Sequence, residues 1–331
     1  MDICFQLKMT VEDIKNPVKE EMALFEKKFK SAMKSDVALL DKITHYIIKR
    51  KGKQLRPLFV FLTAKMFGPV QEGTYTAASL IELLHTATLV HDDVVDDAFE
   101  RRGFLSINAL WKNKIAVLVG DFLLSQGLLL TTSENRIDLL NIVTKAVKSM
   151  SEGELLQMEK SRKMDITEDV YYKIIEQKTA SLVAACCGTG ACSVTDNQEI
   201  IATMEKVGVY VGMAFQIKDD IFDYGFSKDI GKPTGIDIKE RKLTLPLIHV
   251  LQKVDKKSKR MIINTIKKDK QDPVKINKII SIVIENGGIQ YAENKMHEYK
   301  NLALKELDQL PNSPAKESFI GLIHYSINRK K

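Results

Sequence analysis

Cysteine, proline and tryptophan are scarce in this sequence. Its 331 residues include four cysteines, eight prolines and one tryptophan. No two cysteines have the CxxC spacing of common zinc or redox motifs, and three of them (186, 187 and 192) fall in one apolar segment, so we interpret them as small buried thiols. This usage favours a reducing, cytoplasmic compartment over a secreted, disulfide-bonded class.

Linker-like stretches and long hydrophobic runs are also missing. Because no Pro/Gly/Ser-rich segment divides the chain, we expect one domain over residues 1–331. Residues 1–10 lack the basic start and continuous apolar core of a secretory signal. The most apolar window, 116–130, contains Asp121 and is shorter than a membrane span. We expect at most peripheral contact with a membrane.

The charge balance is basic, with a formal net charge of +7. Such a balance suits anionic partners: nucleic acid, an anionic membrane face or phosphorylated substrates. The sequence does not interleave aromatic and basic residues as nucleic-acid platforms do, so we expect no nucleic-acid partner. An anionic membrane face and phosphorylated substrates both stay open.

Apolar residues recur at three- and four-residue spacing almost throughout, whereas strand-like alternation is nearly absent. The pattern predicts an all-α fold. It also predicts a loop with the character of a lid over 225–241, where glycines, a proline and mixed charges accumulate. The predicted long helices cover 10–33, 36–49, 57–67, 74–98, 114–132, 136–161, 167–190 and 196–224.

Two acidic clusters share one spacing, and each closes an apolar helix. Asp92, Asp93 and Asp96 follow the apolar run 80–90, and the second cluster follows the run 207–215. Carboxylates four apart lie on one helix face, where repulsion and lost hydration favour a hard divalent cation. One such cluster fits a solvated acidic face equally well, but two point to a site for magnesium ions and a diphosphate. The second cluster consists of Asp219, Asp220 and Asp223.

Basic residues occur in a matching order along the chain. Lys53 and Arg56 lie three apart before a predicted helix, and Arg101 and Arg102 follow the first acidic cluster. Arginine can bind phosphate oxygens in a bidentate fork, and helix-start N–H groups favour the same anions. Taken singly, each basic residue fits an ordinary surface charge. Two more accompany them: Lys178 within a predicted helix and Lys232 in the predicted lid.

Together these motifs resemble the trans-isoprenyl diphosphate synthase family, and the longer-chain polyprenyl members most closely. GKQLRP, HDDVVDDAFERRG, EQKTASL, FQIKDDIFDY and GKPTGID match the family motifs in order over roughly residues 45–250. The resemblance implies a bundle of long helices around a central cavity. It also implies a prenyltransferase that joins an allylic diphosphate to isopentenyl diphosphate and acts as a homodimer with three magnesium ions per active site. Lys51 and Gln54 depart from the usual residues near the first basic motif.

The resemblance also implies a role for each motif residue. Asp92, Asp96 and Asp219 would hold the magnesium ions, with Asp93, Asp220 and Asp223 as accessory acids. The diphosphate of isopentenyl diphosphate would be bound by Lys53, Arg56, His85 and Arg102. Arg101, Lys178 and Lys232 would add positive charge at the allylic diphosphate, and Thr179 and Gln216 would face the developing carbocation. Without the resemblance, His85 would fit an ordinary core histidine.

Product length is predicted from two small residues on the helix that carries Asp92. Ala87 and Thr88 lie about one turn, roughly 5.4 Å, before that aspartate. Short-chain members of the family often carry bulky aromatic residues there, so we expect a product longer than geranylgeranyl diphosphate. The alternative is a short-chain farnesyl or geranylgeranyl diphosphate synthase. A class I terpene cyclase and a non-catalytic helical subunit fit less well, because both aspartate motifs are intact.

Overall fold

The computed structural model describes residues 9–50, 52–101, 103–225, 235–268 and 272–328. Within these residues the chain is almost entirely helical, which confirms the predicted all-α class. The described strands are β1 (Glu100–Arg101) and β2 (Phe104–Leu105), a short antiparallel hairpin in which Arg101 faces Phe104. This hairpin immediately follows the first aspartate cluster.

The helices cover most of the chain in long segments. They are α1 (Val11–Lys15), α2 (Lys19–Ala32), α3 (Ala38–Lys49), α4 (Leu55–Phe67), α5 (Glu72–Val95), α6 (Ile107–Trp111), α7 (Asn113–Ser133), α8 (Ile137–Lys163), α9 (Glu168–Ile175), α10 (Ser181–Cys192), α11 (Gln198–Phe222), α12 (Ile236–Lys239), α13 (Leu245–Lys253), α14 (Lys256–Lys268), α15 (Pro273–Glu285), α16 (Gly288–Asp308) and α17 (Pro314–Asn328).

The first predicted helix, 10–33, is wrong as a continuous element. A 3₁₀ turn at Asn16–Val18 separates α1 from α2, because Pro17 has no N–H to give to a preceding carbonyl. Thr10 begins α1 with a reciprocal cap: its hydroxyl accepts the Asp13 N–H at 3.2 Å, and Asp13 accepts the Thr10 N–H at 2.9 Å.

Helix α5 ends inside the first aspartate cluster, earlier than the predicted 98. Asp96 caps the helix by donating its N–H to the Asp92 carbonyl at 2.8 Å, and Asp97 adopts a left-handed φ of 48°. This conformation turns the chain away from the helix axis toward β1. The cluster therefore lies at a helix end, where its side chains can face a cleft.

The predicted helix 167–190 has an interruption in its middle. Residues Glu176–Ala180 form a π-helical turn between α9 and α10, and this turn carries Lys178 and Thr179. Single π turns inside longer helices widen the backbone locally and concentrate at functional sites. The turn aims these two side chains differently from a regular α-helix.

Helix α10 is the centre of the bundle, and it packs against α4, α8 and α11. Eight of its twelve residues are buried and the rest are half-buried, in keeping with its apolar sequence. Helix α11 approaches the π turn closely because position 212 is glycine. A Cβ there would lie 2.4 Å from the Ala180 Cα. Buried apolar side chains throughout the described residues form one contiguous core, while the prediction of a single domain over 1–331 stays a prediction.

The predicted loop 225–241 contains a short helix at its end. Helix α12 covers 236–239, so the prediction of a loop is wrong there. Residues 226–234 lie outside the described residues.

Two helices, α7 and α11, are long and apolar enough to cross a membrane by length and composition alone. Helix α7 has 21 residues, so the expectation that its apolar segment is too short to span a bilayer is wrong. In α11 half of the apolar window is buried inside the protein, and buried core helices pass the same test. The length and composition of these helices therefore do not establish a membrane span.

Candidate active site

The carboxyl end of α5 presents the first aspartate cluster to a cleft. Asp92 and Asp96 are exposed, whereas Asp93 is only 4% exposed. The protein around Asp92 raises the pKa of this carboxyl chiefly by displacing water, and the charge of Glu154 adds to the rise. The positive charge of Lys178 opposes it. Lost hydration therefore disfavours the charged form of Asp92, a cost that a bound cation would relieve.

The buried Asp93 pairs with Arg101 of the hairpin. Arg101 donates from Nε at 2.8 Å, and its second terminal nitrogen lies 2.7 Å from the same carboxylate oxygen. Asn108 of α6 donates to the Asp93 carbonyl at 3.1 Å. The pair ties the hairpin to the end of α5.

The second cluster closes α11 and has different surroundings. Asp219 is half-buried, and Asp220 is only 4% exposed. Asp223 accepts the backbone N–H groups of Ile236 at 2.8 Å and Asp237 at 3.1 Å, so its carboxylate caps the start of α12. Burial raises the pKa of Asp223 more than these hydrogen bonds lower it. The cap fixes the position of the last part of the predicted lid.

A chain of hydrogen bonds runs from α9 to the π turn. Tyr171 donates its hydroxyl to Asp220 at 2.7 Å, and Gln216 donates its amide to the other carboxylate oxygen at 2.9 Å. Thr179 in turn donates to the Gln216 carbonyl oxygen at 2.7 Å. Burial raises the pKa of Asp220 to about 8, and the charge of Asp237 contributes. The chain fixes the orientation of Gln216 and Thr179, the pair that the sequence predicts to face the carbocation.

Lys178 connects the two clusters electrostatically. Its ammonium forms an ion pair with Glu154 of α8 and donates to Gln157 at 3.2 Å. Burial raises the pKa of Asp92 and brings the pKa of Asp237 to about 6, and in both cases the Lys178 charge opposes the rise. Lys178 therefore faces carboxylates from both sides of the cleft.

Lys242 has a similar position after α12. Burial lowers the pKa of this lysine, but the hydrogen bond to Glu240 and the charges of Asp237 and Asp96 outweigh that effect, so the pKa is raised. Asp96 belongs to the first cluster, and Asp237 contacts the second through Asp223. A cation thus lies between the clusters, where a diphosphate could bind.

Lys178, Thr179 and Gln216, three of the four predicted catalytic residues, line a small cavity of about 120 Å³. Tyr171, Asp237 and Lys242 also line it. The structure thereby brings together residues from α9, the π turn, α11 and α12. The predicted members of this lining are Lys178, Thr179, Gln216 and Asp220.

A second, larger cavity of about 600 Å³ lies between α3, α4, α5 and the hairpin. The carboxylates of Glu26, Glu82 and Asp93 line it, together with Phe215 of α11. Five basic side chains converge on this cavity: Arg50, Lys53, Arg56, His85 and Arg101. Three of these, Lys53, Arg56 and His85, were predicted to bind isopentenyl diphosphate, and the structure brings them together.

The carboxyl-terminal helix reaches the same cavity. Lys53 donates to the Tyr325 hydroxyl of α17 at 2.8 Å and lies over its ring at 5.2 Å. This contact holds the lysine near the start of α4. Arg101 lines the basic cavity as well, although it was predicted at the allylic diphosphate. Arg102 and Lys232 lie outside the described residues, so their predicted roles stay predictions.

The two chain-length residues lie inside α5. Ala87 is fully buried, and Thr88 is half-buried and donates its hydroxyl to the His85 carbonyl at 2.9 Å. Neither lines the two cavities described above. Their predicted effect on product length stays a prediction.

Sequence reasoning missed several polar residues at the site. Two of them could have been found in the sequence. Asp237 is the last residue of the GKPTGID motif, and Lys242 directly follows the charged end of the predicted loop. Glu154, Gln157 and Tyr171 stand in regular helices without a distinguishing pattern. Only the packing of α8, α9 and α11 against the π turn identifies these three.

The acidic side of the cleft fits a hard divalent cation. In the described parts of the chain, no three carboxylate or imidazole groups are close enough to enclose a metal ion by themselves. Asp92 nevertheless lies near two further carboxylates, Glu154 and Asp96, whose charges add to the rise in pKa that burial causes. Such a set suits magnesium, which typically takes one or two carboxylates and completes its shell with water and substrate phosphates.

Comparison with known proteins agrees with this arrangement. The family model described as polyprenyl synthetase matches residues 37–283, most of the chain. This chain belongs to the polyprenyl synthetase family. It is therefore a prenyltransferase with the all-α isoprenoid synthase fold, as the sequence motifs predicted, and the family depends on divalent metal ions.

Individual relatives match over nearly their whole length. An octaprenyl diphosphate synthase from Escherichia coli is 33% identical, with 98% of this chain and 100% of the relative covered. A crystal structure of a decaprenyl diphosphate synthase from Rhodobacter capsulatus is 31% identical, with a TM-score of 0.91 and 97% and 100% of the two chains covered. A polyprenyl synthase from Caulobacter crescentus, solved with calcium and isoprenyl diphosphate, is 30% identical, with a TM-score of 0.90 and 97% and 98% covered.

Proposed function

We propose that this protein condenses an allylic prenyl diphosphate with isopentenyl diphosphate and releases an all-trans polyprenyl diphosphate longer than geranylgeranyl. One observation carries the proposal: a separate basic cavity lies beside a cleft where Lys178 and Lys242 act on carboxylates of the first cluster and line a cavity with Asp220 of the second. A reaction between two diphosphates needs one anion site for binding and a second for ionisation. The two regions match these needs.

The allylic substrate would ionise in the acidic cleft. Its carbon–oxygen bond breaks, and both electrons leave with the diphosphate. Lys178 and Lys242 are described cations beside the clusters, as is Arg101, which pairs with Asp93; we propose that they stabilise the leaving charge electrostatically. The Thr179 hydroxyl donates a hydrogen bond to the Gln216 carbonyl oxygen. The lone pairs of the hydroxyl oxygen therefore remain available to the positive charge that develops on the allyl group.

The isopentenyl double bond then attacks carbon one of the allylic cation. Its π electrons form the new carbon–carbon bond, and loss of a proton gives the new trans double bond. The departed diphosphate is the proposed proton acceptor, because the predicted catalytic side chains include no obvious general base. Lys53, Arg56 and His85 hold the isopentenyl diphosphate during this step.

Magnesium is the proposed metal, with three ions per active site. Asp92 and Asp96 would hold ions on one side of the cleft, and Asp219 on the other. When bound, the ions supply positive charge that neutralises the leaving diphosphate. The remaining accessory carboxylates have structural contacts of their own: Asp93 with Arg101, Asp220 with Tyr171 and Asp223 with α12.

A homodimer is proposed from the surface of α7. Val117, Leu118, Leu128 and Leu129 are all exposed, by 40%, 59%, 46% and 60%. Residues eleven apart lie about three turns apart on nearly the same side of a helix, so Val117 and Leu118 form one apolar pair and Leu128 and Leu129 a second, with exposed Asp121 and Ser125 between them. A second copy of the chain would cover these two apolar pairs. Light scattering at micromolar concentration should give about twice the 37.4 kDa of one chain.

The location of the protein is proposed to be cytoplasmic, with at most peripheral membrane contact. The three cysteines among the described residues are free thiols, and Cys186 and Cys187 are buried. Burial raises the pKa of the Cys186 thiol to about 12. These cysteines therefore have the unreactive character of core residues in a reducing compartment.

A product-length assay tests the proposed function directly. Purified protein is incubated with magnesium, farnesyl diphosphate and labelled isopentenyl diphosphate, and dephosphorylated products are separated by length. We expect a ladder that extends beyond geranylgeranyl and no product in EDTA. A ladder ending at geranylgeranyl would support the short-chain alternative, and no incorporation of label with metal present would contradict the proposal.

A further inference from the structure

The basic cavity contains a cation that no sequence motif includes. Arg50 is the residue that ends α3, and it lines the cavity together with Lys53, Arg56, His85 and Arg101. It lies before the GKQLRP motif, and the neighbouring Lys49 is exposed and does not line the cavity. Arg50 therefore reaches the same space as the residues proposed to bind isopentenyl diphosphate.

Two aromatic rings hold the Arg50 side chain in place. Its guanidinium carbon lies 3.8 Å from the ring centre of Tyr46 and 4.1 Å from that of Phe104. The Tyr46 hydroxyl also donates to the Leu105 carbonyl at 2.6 Å, which fixes the hairpin relative to α3. An aromatic ring attracts the charge through its quadrupole, so these contacts orient the guanidinium and leave its N–H donors available.

Two other cations of the cavity have polar partners. Arg101 pairs with Asp93, and Lys53 donates to Tyr325. Among residues 9–50, 52–101, 103–225, 235–268 and 272–328, no side chain or carbonyl forms a hydrogen bond or ion pair with the Arg50 guanidinium. Three carboxylates line the described cavity against three Lys or Arg residues other than Arg50. When Lys, Arg and carboxylate side chains are counted, Arg50 therefore gives the described lining a net positive charge, which a diphosphate requires.

We propose that Arg50 binds the diphosphate of isopentenyl diphosphate. The inference rests on the proposed function, because it names a further ligand for one of the two substrates. The planar guanidinium can donate two parallel hydrogen bonds to phosphate oxygens. Tyr46 and Phe104 act as positioning residues that hold the guanidinium toward the cavity.

Three substitutions test this role. Arg50→Gln removes the charge while keeping a polar side chain of similar reach, Arg50→Lys keeps the charge, and Lys49→Gln makes the same charge change at the exposed neighbour. Steady-state kinetics vary each substrate in turn. Calorimetry of isopentenyl diphosphate binding, without allylic substrate, supplies a readout that needs no turnover.

We expect Arg50→Gln to raise the KM and the Kd for isopentenyl diphosphate by about 10- to 100-fold, the range of a lost charge-assisted hydrogen bond. The KM for the allylic substrate and the melting temperature should stay near wild type. Arg50→Lys should raise both constants for isopentenyl diphosphate by about 3- to 10-fold, since it keeps the charge but not the bidentate fork. Lys49→Gln should match wild type in both constants.

Other outcomes would overturn the role of Arg50. One is an unchanged Kd for isopentenyl diphosphate in both Arg50 variants. Another is an equal loss for both substrates with a lowered melting temperature, because this result would show that Arg50 only clamps the hairpin. If Arg50→Gln does not fold, Arg50→Lys decides: an isopentenyl diphosphate KM equal to wild type would contradict the bidentate contact. A wild type that binds isopentenyl diphosphate but forms no product would contradict the proposed function alone.

Discussion

The two aspartate clusters have the same spacing in sequence, yet their middle carboxylates meet opposite surroundings. Asp93 and Asp220 are each 4% exposed. Asp93 pairs with the Arg101 guanidinium, whereas Asp220 accepts hydrogen bonds from two neutral donors, Tyr171 and Gln216. Burial raises the pKa of Asp220 to about 8. Equivalent positions in a repeated motif therefore carry different chemistry, because their tertiary neighbours differ.

Because of this difference, the two clusters connect to different parts of the site. Asp93 joins the first cluster to the hairpin and the basic cavity, which Arg101 and Asp93 both line. Asp220 joins the second cluster to Gln216 and Thr179 in the small cavity. The first cluster thus connects to the proposed isopentenyl diphosphate site, and the second connects to the proposed carbocation site.

Substitution of the first carboxylate should lower turnover alike in both clusters, which is the strictest test of the comparison. We expect Asp92→Ala and Asp219→Ala each to lower kcat by at least about three orders of magnitude, because metal and leaving-group stabilisation would be lost together. Circular dichroism should show an intact fold. The control Asp196→Ala changes an exposed loop carboxylate and should keep normal turnover. Near-normal activity of either variant, or of wild type in EDTA, would contradict the proposed metal site.

The length of the product should depend on Ala87, on the helix of the first cluster, and not on Ala214, on the helix of the second. Ala87 and Ala214 each lie five residues before the first aspartate of their cluster, and both are fully buried. We expect Ala87→Phe to stop the product at farnesyl or geranylgeranyl, because the ring would fill the path of the growing chain. Ala214→Phe should lower stability without shortening the product, since Ala214 lies on the helix of the second cluster. Unchanged products from Ala87→Phe would show that the chain grows elsewhere.

The middle carboxylates should differ when each is made neutral. Asp93→Asn should destabilise the fold by about 1–3 kcal/mol and raise the KM for isopentenyl diphosphate, because Arg101 loses its buried partner. Asp220→Asn should cost less than about 1 kcal/mol, since Asn can accept from Tyr171 and Gln216 can flip its amide. Denaturant unfolding compares the two variants. Equal losses of stability would mean that the partners of the two carboxylates do not matter.

Removal of one hydroxyl should show whether the chain from Asp220 orients the carbocation site. We expect Tyr171→Phe to lower kcat about 3- to 10-fold, the effect of one lost hydrogen bond, with the KM for isopentenyl diphosphate unchanged. Tyr172→Phe is the matched control, because that hydroxyl donates to Glu168 at 3.0 Å, away from Asp220. A kcat for Tyr171→Phe equal to that of Tyr172→Phe would argue against an orienting role.

The smallest expected effect is a dependence of stability on pH in metal-free protein. The folded pKa of Asp220 is raised to about 8 from a usual 3.8. The native state therefore holds a proton that the unfolded state releases, so stability falls as pH rises between these values. In EDTA, the melting temperature of the wild type should fall more between pH 6 and pH 8.5 than that of Asp220→Asn. Parallel curves for the two proteins would contradict the raised pKa.

Much of the fold and the site could be predicted from local sequence patterns. Helical periodicity and the two aspartate spacings are properties of neighbouring residues, so they fixed the all-α class and the positions of Asp92 and Asp219 on helix ends. The order of the motifs, which resembles that of the family, identified Lys53, Arg56, Lys178 and Gln216 as residues of the site. The predicted helix 10–33 overlooked Pro17, which is a local signal for a break, whereas the π turn at Glu176–Ala180 has no such signal because it depends on a few backbone hydrogen bonds.

Tertiary packing alone decided which polar groups meet. Tyr171 and Asp220 are 49 residues apart, and Lys53 and Tyr325 are 272 apart, so no short-range pattern connects them. The position of Arg50 between Tyr46 and Phe104 likewise depends on how the hairpin packs against α3. Sequence by itself determined which chemical groups the protein has and on which helices they lie. Their charge and orientation depend on burial and distant partners, which exist only once the helices have packed.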